Sequence, residues 1–387
     1  MVESLQQIDL NWIDPWIDRI RSFVAVRLED NVMIRMPNEC FKLNTSGAKL
    51  LHFLLNGGSV HKVVQERKDD PDTPRQINEF CTAVMLMLGS NACERFHSEA
   101  IRKVGFELGY IELPILAELA LTDRCNIRCR FCYGACQQSD RAARRKLFSH
   151  EELTTRQFKK IIRIIRHDAG VPSMSFTGGE PMLRNDIFEL IKYASADMGM
   201  RVNLITNGTL ITPEKAARLK DAGLASAQVS IESPDEAIHD SLTQVSGSHG
   251  KSIAGLKALK EQGLHVHFHA TICSENAESL RDMPVLARDL GIERFSLNMI
   301  IPVGRGLTDD LSVRYREIPA IVEPIAARSK ELGIEFMWYA PTPLCVFNPV
   351  AHQLGNKGCA ACEGLLAIDP RGNVLPCSSW QEPVGSL

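Results

Sequence analysis

The sequence predicts an α/β protein: a parallel sheet whose strands alternate with helices, a small winged-helix module ahead of it and a short cysteine-rich hairpin region behind it. Three observations carry this prediction. From Leu113 onward, apolar strand-like runs alternate with amphipathic helical stripes. Before Leu113, two short β-type runs lead into three short helical patterns. The 12 cysteines are uneven, four lying in 125–136 and four in 345–377. Composition sets the frame. The 387 residues carry a net charge of −3, with 24% charged and 44% hydrophobic residues, which is ordinary for a globular protein of two or three domains. Disorder and coiled coil are excluded, and the slightly acidic balance argues against a general nucleic-acid or anionic-membrane binder.

The elements follow in order. MVESLQQIDLNWIDPW has neither the basic start nor the apolar core of a signal peptide, and no run approaches the roughly 20 apolar residues of a membrane span. A cytoplasmic protein is expected, and in that reducing compartment the cysteines should not form a disulfide framework. Ser22–Arg27 and Asn31–Met36 read as a hairpin around Glu29-Asp30. Helices are expected over 45–55, 59–68 and 74–89, separated by Gly57-Gly58 and by Asp70-Pro71-Asp72. These elements make residues 1–95 a winged helix, and 96–112 a polar connector. Strands then follow at Ile115–Leu121, Ser173–Phe176, Val202–Thr206, Ala227–Ile231, His265–Ile272 and Arg294–Ile300. Between them Phe158, Ile161, Ile162 and Ile165 recur at helical spacing, as do Ile187, Leu190 and Ile191, and Ile253, Leu256 and Leu259. In such sheets function gathers at the carboxyl ends of the strands. A helix near 314–332 and a strand near 334–339 lead to the second cysteine group.

Cys125, Cys129 and Cys132 stand in LTDRCNIRCRFCYGAC, directly after the first strand, with the spacing CxxxCxxC. Three thiolates within eight residues can converge on one centre. As ligands of a [4Fe-4S] cluster they leave one iron without protein sulfur. A structural zinc site would need a fourth ligand, which Cys136 can supply. Spacing alone leaves both open. The second strand ends in Phe176-Thr177-Gly178-Gly179-Glu180-Pro181. Two glycines let the backbone approach a ligand closely, and Glu180 offers a carboxylate to an ammonium.

The cysteine motif followed by Tyr133, with Gly178-Gly179-Glu180-Pro181 one strand later, resembles the radical S-adenosylmethionine (radical SAM) enzymes over roughly residues 113–310. The resemblance implies a partial (βα)6 barrel and a [4Fe-4S] cluster on Cys125, Cys129 and Cys132 whose open iron binds SAM. It also implies reductive cleavage of SAM to a 5′-deoxyadenosyl radical that abstracts hydrogen from substrate. Gly178, Gly179, Glu180 and Pro181 match the motif that holds the SAM amino group. Asn207 ends the third strand in Thr206-Asn207-Gly208, and Ser230 and Glu232 end the fourth in VSIES, where the family commonly has Ser-x-Asp facing SAM. Tyr133 is expected to meet adenine through its backbone. The arginine that many relatives place after the fourth strand is replaced in HDSLTQVSGSHGK by Thr243 and Gln244, so the partner of the SAM carboxylate is unassigned, Lys251 being one candidate.

Cys345, Cys359, Cys362 and Cys377 surround GCAACEGLLAIDPRGNVLPC, in which Asp369-Pro370-Arg371-Gly372 turns between two strand-like runs. This resembles the SPASM or twitch extension and implies one auxiliary iron–sulfur cluster over 311–387; zinc is the alternative. The chain stops ten residues after Cys377, which implies either a short twitch or a truncated sequence. Cys40, Cys81, Cys93 and Cys273 read as buried thiols. FKLNTSGAKLLHFLLNGGSVHKVV and its flanks resemble the PqqD-like peptide-binding module, or RiPP recognition element, which takes the leader of a precursor peptide as an added strand. A DNA-binding winged helix is the competitor, but 22–95 balances nine Lys+Arg against nine Asp+Glu, and phosphate binding needs a basic face. The expected function is therefore radical SAM modification of a ribosomally made peptide, with a reducing partner such as flavodoxin or ferredoxin. A radical SAM enzyme of tetrapyrrole or other cofactor synthesis and an iron–sulfur sensor with a DNA-binding winged helix are the alternatives. No residue is identifiable as a general base or radical donor.

Overall fold

The computed structural model describes residues 8–36, 39–89, 101–102, 112–134, 152–307, 310–352, 354 and 359–387. Cys93, Cys136 and most of the expected connector lie outside these residues. The chain divides into two compact units, Met1–Leu116 with Ala169–Ser173, and Ala117–Asp168 with Met174–Leu387.

The first unit is built from α1 (Ile13–Ile20), β1 (Val24–Arg27), β2 (Val32–Arg35), β3 (Glu39–Leu43), α2 (Thr45–Leu55), α3 (Val60–Glu66), α4 (Thr73–Gly89) and β4 (Ile101–Arg102). The strands form one sheet in the order β1-β2-β3-β4, antiparallel throughout. The Asn44 side chain caps α2 by accepting from Gly47 N, and Ser59 caps α3. A core of Ile13, Trp16, Ile17, Leu51, Leu54, Phe80 and Val84 joins the helices. The β1–β2 turn closes on an ion pair between Arg27 and Asp30, 5% and 2% exposed. The Arg27 guanidinium also donates to the carbonyls of Leu113 and Pro114, at 2.8 Å each, so each of its three nitrogens is hydrogen-bonded. Neither α1 nor β3 is evident from the sequence pattern, and β4 lies in the expected connector.

The second unit alternates strand and helix: β5 (Leu116–Ala120), α5 (Thr155–His167), β6 (Ser173–Thr177), α6 (Ile187–Lys192), β7 (Arg201–Thr206), α7 (Pro213–Asp221), β8 (Ser226–Ser230), α8 (Glu236–Thr243), α9 (Ser248–Glu261), β9 (His265–Ile272), α10 (Met283–Leu290), β10 (Arg294–Met299), α11 (Ile318–Glu331) and β11 (Glu335–Trp338). β12 (Leu365–Ile368), β13 (Asn373–Leu375) and β14 (Gly385–Ser386) follow. All ten strands share one sheet, ordered β11-β10-β9-β8-β7-β6-β5-β12-β13-β14. The α/β class and the parallel run are as expected. The C-terminal region extends this sheet at both ends. β11 adds a further parallel strand beside β10, and the β12–β13 hairpin adds beside β5.

The sheet has two unlike faces. Along β9, Phe268, Ala270 and Ile272 are buried, whereas His267, His269 and Thr271 between them are half-buried. β7 alternates in the same way. Parallel sheets covered on both faces read as continuous apolar runs. Here one face packs through rings such as Phe268 and Phe295, stacked with centroids 5.4 Å apart, while the other keeps polar side chains and stays partly open.

Candidate active site

The cysteine loop runs from Leu121 to Gly134 beyond the end of β5, and several elements hold it by its backbone. Gly179 N donates to Thr122 O at 2.7 Å and Glu180 N to Arg124 O at 2.8 Å. On the far side Arg128 N donates to Thr243 O and Arg130 N to Leu242 O, at the end of α8. Arg305 closes the third side: its N–H donates to Cys132 O at 3.1 Å, and its guanidinium to the carbonyls of Arg128 and Cys129 at 2.9 and 3.2 Å. The two glycines serve this closure. A Cβ at Gly178 would strike Thr122 O, and one at Gly179 would strike Arg124 O. Gly178 also sits at φ 127°, where only glycine is unstrained.

Cys125, Cys129 and Cys132 are each half-buried and near enough to act on one another. Burial pushes the Cys125 thiol up to about 11, with the charges of Glu180 and Cys132 adding to it. Burial raises Cys129 further, with Glu232, Cys132 and Cys125 adding. Three half-buried thiols that oppose one another's ionisation form a site short of positive charge. A cationic iron–sulfur group would supply that charge and hold the sulfurs as thiolates, so the donor set fits such a group. Among the described residues, no three His, Cys, Asp or Glu side chains are gathered tightly enough to share a single ion.

Glu180 is fully buried, and its carboxylate is committed within the protein. Oε1 accepts from Met182 N at 2.9 Å and Thr206 Oγ1 at 2.8 Å, and Oε2 accepts from Asn207 N at 2.8 Å. Burial raises its pKa, and these donors offset part of the rise. The carboxylate therefore ties the end of β6 to the end of β7. Pro181 is buried behind it and opens a 3₁₀ turn. Glu232, 3% exposed, does for β8 and β9 what Glu180 does for β6 and β7: Oε2 accepts from Thr271 N at 2.8 Å. Burial lifts it to about 7. Asn276, which no sequence motif marks, bonds Glu232 O, Thr271 O and Cys273 N and fixes the same corner. Ser230 is half-buried on the open face and pairs in register with His269. Tyr133 is half-buried and follows the last loop cysteine; Gly304 packs against its carbonyl. Lys251 is exposed on α9.

Beside this site the open face carries a polar row. His269 Nδ1 is hydrogen-bonded to Ser296 Oγ at 2.9 Å, its ring stacks on Tyr339 at 6.2 Å, and His267 Nε2 is hydrogen-bonded to Gln228 Oε1 at 3.1 Å. Burial lowers His269 to about 4 and His267 to about 3, so both are neutral near pH 7.

The C-terminal cysteines are arranged differently. Cys345, Cys359 and Cys362 are exposed and Cys377 is half-buried. Cys362 takes a left-handed backbone (φ 62°) and its N–H donates to Pro376 O at 3.3 Å, so Cys362 and Cys377 flank one corner of the hairpin. The hairpin reaches the cysteine loop and β5, through an ion pair of Arg371 with Asp123 and a hydrogen bond from Ser378 to Glu118. No helix among the described residues is long and apolar enough to cross a membrane.

Comparison with known proteins agrees with this geometry. The profile of the Radical SAM superfamily matches residues 119–284. An AdoMet-dependent heme synthase of Methanosarcina barkeri is 30% identical over 288 residues, covering 71% of this chain and 79% of that protein. A PqqA peptide cyclase of Bradyrhizobium diazoefficiens is 29% identical over 282 residues, covering 70% and 69%. The crystal structure of Streptococcus suis SuiB bound to S-adenosylmethionine superposes with a TM-score of 0.65 at 18% identity, over 92% of this chain and 82% of that one. The chain that builds this cysteine loop and its Gly-Gly-Glu-Pro clasp belongs to the radical SAM superfamily.

Proposed function

We propose that this enzyme modifies a ribosomally made precursor peptide. Cys125, Cys129 and Cys132 would hold the [4Fe-4S] cluster. With SAM bound, that cluster supplies a 5′-deoxyadenosyl radical able to take a hydrogen atom from an unactivated carbon. The protein's own part is position. Gly178 and Gly179 let the second strand zip onto the cysteine loop, Glu180 and Glu232 lock the strand ends that face SAM, and Arg305 keeps the loop's third side closed. Ser230, His269 and Tyr339 lie half-buried on the open face where substrate would lie, neutral groups suited to bonding amides, with Ser296 buried behind His269. We assign Cys345, Cys359, Cys362 and Cys377 to one auxiliary cluster and reduction to a flavodoxin or ferredoxin. The first unit would take the leader as a PqqD-like module, by strand addition to its sheet.

One observation carries the peptide reading. The likeness to SuiB spans 92% of the chain, too large a share to leave out the first unit. A structure of the same SuiB is described as bound to its precursor peptide SuiA. Tetrapyrrole chemistry is the second reading, favoured by the 28–32% identity to AdoMet-dependent heme synthases. Anaerobic reconstitution with SAM and dithionite tests both. Deoxyadenosine should form, and Cys129→Ala should abolish it; formation retained in that variant sinks the cluster assignment. Peptides encoded by short reading frames beside the gene should gain a mass change, and turnover of a tetrapyrrole carboxylate instead would decide for the second reading. Cys377→Ser should lower iron per chain while deoxyadenosine formation persists, and unchanged iron would count against the auxiliary cluster.

A further inference from the structure

Asn207 directly follows β7 and is 6% exposed. Its side-chain oxygen accepts twice from one residue, from Thr209 N at 2.9 Å and Thr209 Oγ1 at 2.6 Å. Two donors on that side settle which end of the amide is oxygen. The amide nitrogen therefore faces the cysteine loop, donating to Asn126 Oδ1 at 2.9 Å and reaching Cys125 Sγ at 3.9 Å. Asn126 closes the ring by donating to Thr209 Oγ1 at 2.7 Å. The backbone is held as firmly: Asn207 N donates to Glu180 and Asn207 O accepts from Ser252 Oγ at 2.7 Å. Both hydrogens of the amide and both lone pairs of its oxygen are thus committed inside the protein.

We propose that Asn207 is a positioning residue of the cluster: its Nδ2–H donates to the Cys125 thiolate and raises the cluster's reduction potential. This rests on the assignment of Cys125 as a cluster ligand. Hydrogen bonds to the sulfurs are among the factors that set iron–sulfur potentials. The sign follows from charge. Reduction adds an electron shared by iron and sulfur, so a donor to sulfur stabilises the reduced state more than the oxidised one. Glu180 and Thr209 act through Asn207, one fixing its backbone and the other its amide.

The test is a redox titration of the full-length, reconstituted protein, followed by electron paramagnetic resonance. Asn207→Leu keeps the bulk and removes the donor; its ratio of reduced to oxidised cluster at a fixed potential should fall about tenfold, equivalent to 59 mV for a one-electron couple. Asn207→Asp keeps the Thr209 contacts but puts a negative charge at the sulfur, so its shift should be larger although its shape is closer to the parent. Thr209→Val frees the amide and should shift the potential the same way by less. SAM affinity, measured by equilibrium dialysis, should stay near the parent's. Potentials unchanged in all three variants overturn the inference, as does weakened SAM affinity with an unmoved potential. If an Asn207 variant loads no iron, Thr209→Val alone decides. Absence of iron in the parent would sink the cluster assignment, a result separate from these.

Discussion

A single methyl group is enough to test how the site is assembled. At Gly179 it would land on the carbonyl oxygen of Arg124, which is backbone and cannot swing aside as a flexible side chain can. The same residue's N–H makes the 2.7 Å bond to Thr122 O. Gly179→Ala must therefore push the cysteine loop away from β6 or break that bond. We expect a loss of roughly 2–4 kcal/mol, the range of overpacking together with a lost buried hydrogen bond. Iron loading should fall with it, because Cys125 directly follows the displaced Arg124. Urea unfolding and iron analysis check both, and an alanine variant with parental stability and iron content would remove the packing reason for the glycine pair. Glu180 gives the same lesson from the other side of the motif. In the sequence its carboxylate looks like a ligand for an ammonium; in the fold it also accepts from Met182, Thr206 and Asn207. It shapes the site by holding two strand ends in register.

Strand β9 shows how an element divides its labour. HVHFHATI sends Phe268, Ala270 and Ile272 into the helix-covered core and His267, His269 and Thr271 to the open face. Burial keeps His267 and His269 neutral, and His239 on α8 is likewise lowered to about 4, its Nδ1 accepting from Glu232 N at 3.1 Å. Unfolded histidine titrates near 6.5. Between about pH 4 and 6.5 the unfolded chain therefore binds more protons at these positions than the native one, so stability rises with pH across that window and is lost as pH falls through it. Each such histidine contributes a slope of up to about 1.4 kcal/mol per pH unit. Urea midpoints should fall steeply from pH 6.5 to 4.5, and His269→Gln should flatten that fall. A variant with the parental slope would show that burial does not lower His269 in the native protein.

At the scale of the whole chain, what could be read in advance follows how far apart the partners lie. β5 to β11 were legible because each strand's pattern is local, and the cysteine loop and the Gly-Gly-Glu-Pro turn because each is a short contiguous motif. α1 was not, since Trp12 and Pro15 give no capping signal and no side chain caps its start. β3 was not, because Glu39–Leu43 alternates weakly. Arg305, Asn276 and the Asn126–Asn207–Thr209 ring were invisible because each acts across the fold on residues far away in sequence. The same limit hid the pairing of the β12–β13 hairpin with β5. The division into two units yields the last prediction. The second unit contains all three loop cysteines, Glu180, Glu232 and Arg305, whereas the first has its own sheet and its own core. If the first unit only recruits the leader, its binding energy raises the local concentration of substrate and adds nothing to SAM cleavage. Removing residues 1–95 should then leave dithionite-driven deoxyadenosine formation largely intact while peptide turnover at low concentration falls about a hundredfold, the scale of a lost tether. Saturating peptide should restore much of that turnover. Equal loss of both activities, with no rescue at high peptide, would make the first unit a structural cap on the enzyme.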